Sequence, residues 1–297
     1  MGISRFFKSF LEGSKVDVQK RYEILRAAVS GTMSNFYMAR DRQTSEIVGL
    51  KILDPEKTVQ LDGRFKALNK PSEGEISLLF DHPLIVKTYS HGTTTTGEQF
   101  LVMEFLDGPG LNSLIIARSP LLDGNRLTLV RQAAEALAVV HNAGYIHRDI
   151  CPRNFVCSKD ATSLKLIDFG LTVPATPPFM QPGLRTGTPN YMAPEVVRRR
   201  PTDQRLDIFA LGVSMYELFA FELPWTRGAD GQAAMSHGGS TPPPISKFYP
   251  DIDPRLEAAI LKCIENDPDD RFPTVEAFLK AIQGLKSEDK PGVASRE

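Results

Sequence analysis

Four short segments of the 297-residue sequence carry side chains suited to acid–base, charge-stabilising and cation-binding chemistry. A positioned carboxylate can accept a proton, and carboxylate and amide oxygens are the ligands that hard cations such as Mg²⁺ prefer. A lysine within an apolar run adds a fixed positive charge. In chain order the segments are Leu50-Lys51-Ile52, His147-Arg148-Asp149-Ile150-Cys151-Pro152-Arg153-Asn154, Asp168-Phe169-Gly170 and Gly187-Thr188-Pro189-Asn190-Tyr191-Met192-Ala193-Pro194-Glu195.

Taken together, these segments closely resemble the signature set of eukaryotic-type Ser/Thr protein kinases. The resemblance covers about residues 22–283. The sequence looks more like a bacterial member of the family than an animal one. One segment alone would be weak evidence, because a lone Asp-Phe-Gly occurs by chance. The resemblance implies an α+β, bilobed fold, with a small antiparallel-sheet lobe containing one main helix and a larger, mostly helical lobe.

The resemblance also implies the reaction, which is transfer of the γ-phosphoryl group of Mg·ATP to Ser or Thr hydroxyls of proteins. In this reaction the protein mainly positions groups and stabilises charge on the phosphoryl oxygens. By resemblance, Lys51 holds the α- and β-phosphates, and Asp149 accepts or orients the proton of the attacking hydroxyl. Asn154 and Asp168 are then the Mg²⁺ ligands.

The carboxylate partner of Lys51 has two candidates. Counting back from His82-Pro83 selects Glu73, which avoids a deletion relative to the family. Glu75 stays a rival, because Glu75-Ile76-Ser77-Leu78-Leu79 also resembles the family's helix. We favour Glu73.

The phosphate-covering loop departs from the family's Gly-x-Gly-x-x-Gly pattern. Its glycine positions hold Val29, Gly31 and Ser34, so only the middle glycine is kept. Glycines let backbone N–H groups close on phosphates without an intervening Cβ, and we therefore expect a stiffer loop and weaker ATP binding. The other residues that the resemblance assigns to the ATP site are Ala28, Ser30, Thr32, Met33 and Phe36 in this loop and Met103, Glu104 and Leu106 at the hinge.

The catalytic loop departs from the family at Cys151, where Ser/Thr kinases usually carry a lysine that meets the γ-phosphate. A thiol cannot supply that charge, and we interpret Cys151 as a passive small residue rather than a redox site. Arg153 stands where tyrosine kinases place an arginine for the same task, so we predict that Arg153 replaces the lysine. Gly187-Thr188-Pro189 nevertheless resembles the substrate platform of Ser/Thr enzymes, which favours that acceptor class.

The activation segment, Asp168 to Glu195, is 28 residues long. Thr188 matches the residue that hydrogen-bonds the catalytic Asp in Ser/Thr-specific members. Thr186 is then the better phosphorylation candidate, followed by Thr176.

Three residues have structural roles by resemblance. Glu195 and Arg271 match the family's buried ion pair, which ties the end of the activation segment to the helical lobe. Asp207, at the head of an apolar helix, matches the buried carboxylate that braces the catalytic-loop backbone.

Hydrophobic periodicity and turn residues give the organisation of the chain. Apolar runs predict strands at Ile47–Leu53 and Phe100–Leu106, and helices end near Phe80, near His141 and near Phe219. We divide the chain into an N-terminal extension (1–21), a small lobe (22–106), a large lobe (107–285) and a polar tail (286–297). Residues 227–248 are predicted to form a long surface loop.

Composition limits the function classes. The chain has 35 Lys+Arg against 36 Asp+Glu, which argues against nucleic acid as the main partner. Three cysteines form no disulfide framework, so we expect a cytoplasmic protein. No run is long enough to span a bilayer, although the aromatic and basic first residues resemble a peripheral membrane anchor, a docked helix or a frayed end. The depleted glycine loop and Cys151 keep a second hypothesis open, a pseudokinase that binds nucleotide with little transfer activity.

Overall fold

The computed structural model describes residues 15–30, 33–65, 68–182, 186–225 and 241–286, which fall into two compact units that divide between Asp107 and Gly108. The N-terminal unit contains α1 (Val18–Arg21), β1 (Tyr22–Ser30), β2 (Ser34–Asp41), β3 (Ile47–Leu53), α2 (Pro55–Phe65), α3 (Glu73–Ser77), β4 (Thr88–Thr93) and β5 (Gln99–Glu104). The C-terminal unit contains α4 (Leu111–Ile116), α5 (Arg126–Asn142), β6 (Tyr145–Ile146), β7 (Phe155–Cys157), β8 (Leu164–Leu166), β9 (Val173–Pro174), α6 (Pro194–Val197), α7 (Arg205–Ala220), α8 (Pro254–Cys263) and α9 (Val275–Ala281).

The N-terminal unit is built on one antiparallel sheet with the strand order β1-β2-β3-β5-β4. Alternation along β3 buries Val48 and Leu50 in a cluster with Val18 and Tyr22. Because successive side chains of a strand point to opposite faces, Lys51 lies on the face opposite this cluster. The five-stranded sheet and the helix-rich second unit confirm the predicted α+β class.

The chain just before β1 packs on this sheet. The Val16 N–H donates to the Thr93 carbonyl at 2.9 Å, and the Arg21 guanidinium reaches the fully buried Asp41 carboxylate at 2.9 Å. Val16 and Arg21 belong to the predicted N-terminal extension (1–21). The possible membrane anchor within 1–14 lies outside the described residues.

Two helices lie between β3 and β4, where the sequence pattern indicated one main helix. Asp54 accepts the N–H groups of Glu56 and Lys57 at 3.0 and 3.1 Å, and Pro55 follows it at the first helical position. Asp54-Pro55 therefore ends β3 and also starts α2, because an aspartate cap and a proline at the first position both favour a helix start.

Long helices form the core of the C-terminal unit. Residues 206–220 of α7 are all buried, and α7 packs on α5 and α8. The helix α5 ends at Asn142 before Gly144, whose φ of +82° suits the left-handed conformation that commonly follows a helix. In the described part of the chain no helix has both the length and the apolar character needed to cross a bilayer. The predicted surface loop is described only from residue 241, and the predicted tail only at Lys286.

Candidate active site

The N-terminal unit contributes a buried ion pair. Lys51 Nζ on β3 lies 2.5 Å from Glu73 Oε1 at the start of α3, and both side chains are less than 10% exposed, at 8% and 7%. Glu75 has a different task. Its carboxylate accepts the backbone N–H and the hydroxyl of Ser72 at 2.7 Å each, which closes a capping box and lowers the pKa of the Glu75 carboxyl. The structure thus pairs Lys51 with Glu73.

A glycine sets the position of α3 on the sheet. A Cβ atom at Gly74 would lie 2.3 Å from Cγ and 2.5 Å from Cβ of His91 on β4, closer than real Cβ contacts occur. Only glycine therefore allows α3 to pack this closely against β4. Gly74 is the neighbour of Glu73, so this contact also determines where the partner of Lys51 lies. Sequence reasoning missed both Gly74 and His91, although a glycine inside a short helix is a usable signal.

In the C-terminal unit, Asp149 is the centre of a hydrogen-bond network. Its Oδ1 accepts the backbone N–H of Thr188 at 2.8 Å and the Thr188 hydroxyl at 2.7 Å. Its Oδ2 accepts from Nδ2 of Asn154 at 3.0 Å, and the same Nδ2 donates to the Asp149 carbonyl at 2.7 Å. The catalytic loop and the activation segment are thereby joined through one carboxylate.

Asn154 and Asp168 have the donor chemistry for a magnesium ion. Asn154 uses its Nδ2 for both bonds to Asp149, so its Oδ1 accepts no hydrogen bond from the described residues. Asp168 is exposed and has a φ of +68°, in the left-handed region that aspartate enters more readily than most residues. Among the described residues no cluster of three or more His, Cys, Asp or Glu side chains forms a self-contained metal site. Two oxygen donors fit Mg²⁺, which takes its remaining ligands from water and phosphates.

A buried carboxylate holds the start of the catalytic loop. Asp207 on α7 is fully buried and accepts the backbone N–H groups of His147 and Arg148 at 2.7 and 2.8 Å. Burial raises the pKa of this carboxyl, but the hydrogen bond and charge of His141 and the contacts of His147 outweigh burial, so the pKa is lowered. The 2.9 Å contact between His141 Nε2 and the Asp207 carboxylate was not predicted from the sequence, in which His141 only marked the end of a helix.

His147 is buried beside the catalytic loop. Its Nδ1 accepts the Asp149 N–H at 3.3 Å, and its ring centroid lies 5.3 Å from that of Phe169. Burial lowers the pKa of His147 below its ordinary value. A packed imidazole with a lowered pKa fits a structural role.

The two departures in the catalytic loop differ in exposure. Cys151 is buried, and burial followed by the charge of Asp149 raises the pKa of its thiol to about 11. Its Sγ lies 3.7 Å from the Thr188 hydroxyl. Arg153 is exposed, and its side chain has no ion-pair partner among the described residues. The Arg153 guanidinium can therefore contact an anionic group from solvent, whereas the Cys151 thiol is enclosed by the protein.

The activation segment folds back onto the catalytic loop near Thr186. This side chain is buried, and its hydroxyl accepts from Arg148 Nε at 3.3 Å. Gly187 has a φ of +122°, and a Cβ there would lie 2.7 Å from the Arg148 carbonyl, so glycine is required for this approach. Thr176, the other phosphorylation candidate, is exposed.

The end of the activation segment is fixed by a second buried ion pair. Arg271 donates from Nη1 and Nη2 to the two carboxylate oxygens of Glu195 at 2.8 Å each. Its remaining N–H groups reach the carbonyls of Glu265, Arg205 and Asn266. The whole guanidinium is therefore satisfied, a geometry that only the planar arginine fork provides.

Several residues of the predicted ATP site are only partly described. Gly31 and Thr32 lie outside the described residues, and so do the side chains of Ala28, Val29 and Ser30. Ser34 and Phe36 lie on β2, and Met33 just precedes it. Met103 is buried on β5, Glu104 Oε1 accepts the Lys87 N–H at 2.7 Å, and Leu106 is half-buried.

Comparison with known proteins agrees with the fold. Residues 22–281 match the family described as the protein kinase domain. The chain belongs to this family.

The relatives named below are bacterial proteins. The chain is 30% identical over 283 residues to the serine/threonine-protein kinase pkn3 of Myxococcus xanthus, covering 90% of the chain and 50% of the relative. It is 32% identical over 269 residues to Pkn1 of the same organism (88% and 38%) and 30% identical over 284 residues to PknB of Mycolicibacterium smegmatis (92% and 44%). The chain thus spans about half the length, or less, of these relatives. Their names and sources confirm the resemblance to bacterial eukaryotic-type Ser/Thr kinases.

Proposed function

We propose that this chain transfers the γ-phosphoryl group of Mg·ATP to serine and threonine hydroxyls of proteins. The observation that carries the proposal is the pair of bonds from Thr188 to Asp149 Oδ1, at 2.8 Å from the backbone N–H and 2.7 Å from the hydroxyl. A carboxylate held in this way is oriented to receive a proton, and the adjacent threonine marks where the acceptor side chain would lie. We also propose a reducing compartment, the cytoplasm, because all three cysteines are free.

The proposed step is an in-line displacement at phosphorus. The substrate hydroxyl oxygen forms a bond to the γ-phosphorus, and the bond from that phosphorus to the β–γ bridging oxygen breaks, which releases ADP. Asp149 takes the hydroxyl proton. Thr188 and Asn154 keep the Asp149 carboxylate in place throughout.

The remaining site residues stabilise charge. Lys51, held by Glu73, would bind the α- and β-phosphates, and Asn154 and Asp168 would hold Mg²⁺. When bound, the ion neutralises negative charge that develops on the phosphate oxygens. Arg153 would supply, next to the reacting phosphoryl group, the positive charge that Cys151 cannot.

The test is incubation with Mg·ATP and a mixture of Ser, Thr and Tyr peptides, followed by intact-mass and phosphopeptide spectrometry, with Asp149→Asn in parallel. Phosphate on Ser or Thr with the wild type alone supports the proposal. Phosphate on Tyr alone would contradict the acceptor class. ATP binding without transfer in either sample would instead favour the pseudokinase hypothesis.

Arg153 has its own test within this assay. We expect Arg153→Ala to lower kcat on the order of 10²-fold, as the loss of a charge-stabilising donor does elsewhere, and Arg153→Lys to recover part of it. Arg255→Gln is the matched control, because Arg255 is also exposed but is paired with Asp253 at 3.1 Å on α8. An unchanged kcat/KM in Arg153→Ala would show that Arg153 does not replace the lysine.

A further inference from the structure

Three consecutive arginines follow the short helix α6 and face solvent. Arg198, Arg199 and Arg200, here called the arginine patch, are all exposed. The net charge of the chain is −1, so the patch is a local feature and not part of a generally basic surface.

The patch lacks the carboxylate partners that Arg205 of the same unit has. Arg198 Nη1 donates to Asn266 Oδ1 at 3.2 Å, and in the described part of the chain the side chains of Arg199 and Arg200 have no hydrogen bond or ion pair. By contrast, Arg205 contacts Asp203 and Asp269 at 2.8 and 2.6 Å. Two guanidinium groups are therefore open to an external anion.

The backbone holds the patch in a defined turn. The Arg199 N–H donates to the Val196 carbonyl at 3.2 Å and the Arg200 N–H donates to the Glu195 carbonyl at 2.9 Å, which is the Schellman arrangement at a helix end. Arg199 takes the left-handed position of this motif, with a φ of +54°, where glycine is the usual residue. The Arg199 side chain is thereby held at a defined point just past the end of α6.

The patch also has a fixed place relative to Asp149. Thr188, ten residues before Arg198, is bonded to Asp149, and Glu195, three residues before it, is bonded to Arg271. The chain between the acceptor position and the patch is thus tied to the C-terminal unit at both ends. A substrate segment that passes Thr188 and follows this stretch of chain would reach these arginines.

We propose that the arginine patch binds an acidic segment of the protein substrate, through the carboxylates of Asp or Glu residues near the phosphorylated side chain. This inference rests on the proposed kinase function and names its substrate class. Arginine suits it because the planar guanidinium fork matches a carboxylate bidentately. An exposed charge surface of this kind acts mainly on specificity and on the association rate, and salt weakens it.

The first experiment compares peptides that share one Thr acceptor and carry four Glu or four Gln residues on its N-terminal or its C-terminal side. For the wild type we expect kcat/KM about tenfold higher for the Glu peptide in one of the two registers. Arg199→Gln/Arg200→Gln should reduce that ratio to about two, and 0.5 M NaCl should do the same to the wild type. Arg255→Gln should keep the wild-type ratio.

A purely structural role of the patch gives a different result. If the arginines only stabilise the end of α6, the double variant loses kcat/KM equally for the Glu and Gln peptides and the ratio is unchanged. Equal rates for Glu and Gln peptides with the wild type would also overturn the inference. So would a variant that loses binding to phosphatidylserine vesicles while keeping its peptide ratio, since the partner would then be a membrane.

A binding measurement distinguishes failure of this inference from failure of the proposed function. The Kd of a fluorescein-labelled Glu peptide is measured by anisotropy without ATP, so no phosphoryl transfer is required. We expect about tenfold weaker binding in Arg199→Gln/Arg200→Gln than in the wild type or Arg255→Gln. That result with an inactive wild type would refute the kinase activity and keep the surface, whereas equal Kd values with an active wild type would refute the surface alone.

Discussion

Replacing Glu195 by glutamine leaves the Arg271 guanidinium buried without its charged partner. The Arg271 side chain is 0% exposed and Glu195 is 6% exposed, so water cannot take over the lost interaction. Removing one member of a buried pair costs about 3–5 kcal/mol in the free energy of unfolding, because an uncompensated charge remains. A typical domain has about 5–15 kcal/mol in total. The Glu195→Gln variant should therefore fold with only part of its stability.

The single tryptophan gives a local readout of this change. Trp225 is buried and stacks on Phe209 with centroids 6.0 Å apart, and the Arg271 guanidinium lies 4.8 Å from the same Phe209 ring. Urea unfolding followed by tryptophan fluorescence thus reports on the surroundings of Arg271. With a urea slope of about 2 kcal/mol/M, we expect the midpoint to fall by about 1.5–2.5 M.

Two further variants test the reasoning behind this magnitude. Arg255→Gln removes an arginine from an exposed pair of the same unit and should leave the midpoint unchanged. Glu195→Leu/Arg271→Met removes both charges and should recover part of the loss, since no unpaired charge stays buried. A shift below about 0.5 M for Glu195→Gln, or a double variant no more stable than the single one, would refute the explanation by an unpaired charge.

Three other predictions follow from contacts described above. Gly74→Ala should lower kcat/KM on peptide substrates, because its Cβ would overlap His91 and displace Glu73 from Lys51. His147→Phe should reduce the loss of stability below pH 6.5. The pKa of this histidine is lower in the folded state, so the unfolded state binds the proton first as the pH falls. The free energy of unfolding then decreases by up to about 1.4 kcal/mol per pH unit. Cys151 should react with iodoacetamide at pH 8 only on unfolding, because its buried thiol has a pKa of about 11.

Each of these predictions has a control. Gly74→Ala/His91→Gly removes the overlap, because the His91 Cβ itself lies 2.5 Å from the added atom, and should restore kcat/KM; a double variant as slow as Gly74→Ala would contradict the packing explanation. For His147, urea midpoints between pH 5 and 8 that fall in parallel for both proteins would assign the pH dependence to other groups. For Cys151, intact-mass spectrometry with and without urea gives the comparison, and rapid labelling of the folded protein would show an accessible thiolate.

The residues of the candidate site could be named from the sequence because they are recognised by residue type and by their order along the chain. Lys51, Asp149, Asn154 and Asp168 lie in short segments that are recognisable without any tertiary information. The Thr188 hydroxyl donates to Asp149 in the structure, as the resemblance implied.

Contacts between distant residues could not be predicted in the same way. His141 and Asp207 are 66 residues apart, and nothing in the sequence of α5 shows that the His141 imidazole contacts a carboxylate of α7. Gly74 and His91 meet only because α3 packs on β4 in one register. The helix α2 was missed for a local reason, since Asp54-Pro55 is a common turn signal as well as a helix start.

The bonds from Asp207 to the catalytic loop predict different rates of amide hydrogen exchange for the two segments that meet at Asp149. The His147 and Arg148 amides donate to a carboxylate with no exposed surface, on a helix buried from residue 206 onward. Deuterium reaches such amides only when the core of the unit opens, whereas the Thr188 amide, on the half-buried Asp149, exchanges through local opening. We therefore expect the loop that carries Asp149 to persist as long as the folded C-terminal unit itself, and the segment around Thr188 to open and close many times within that period.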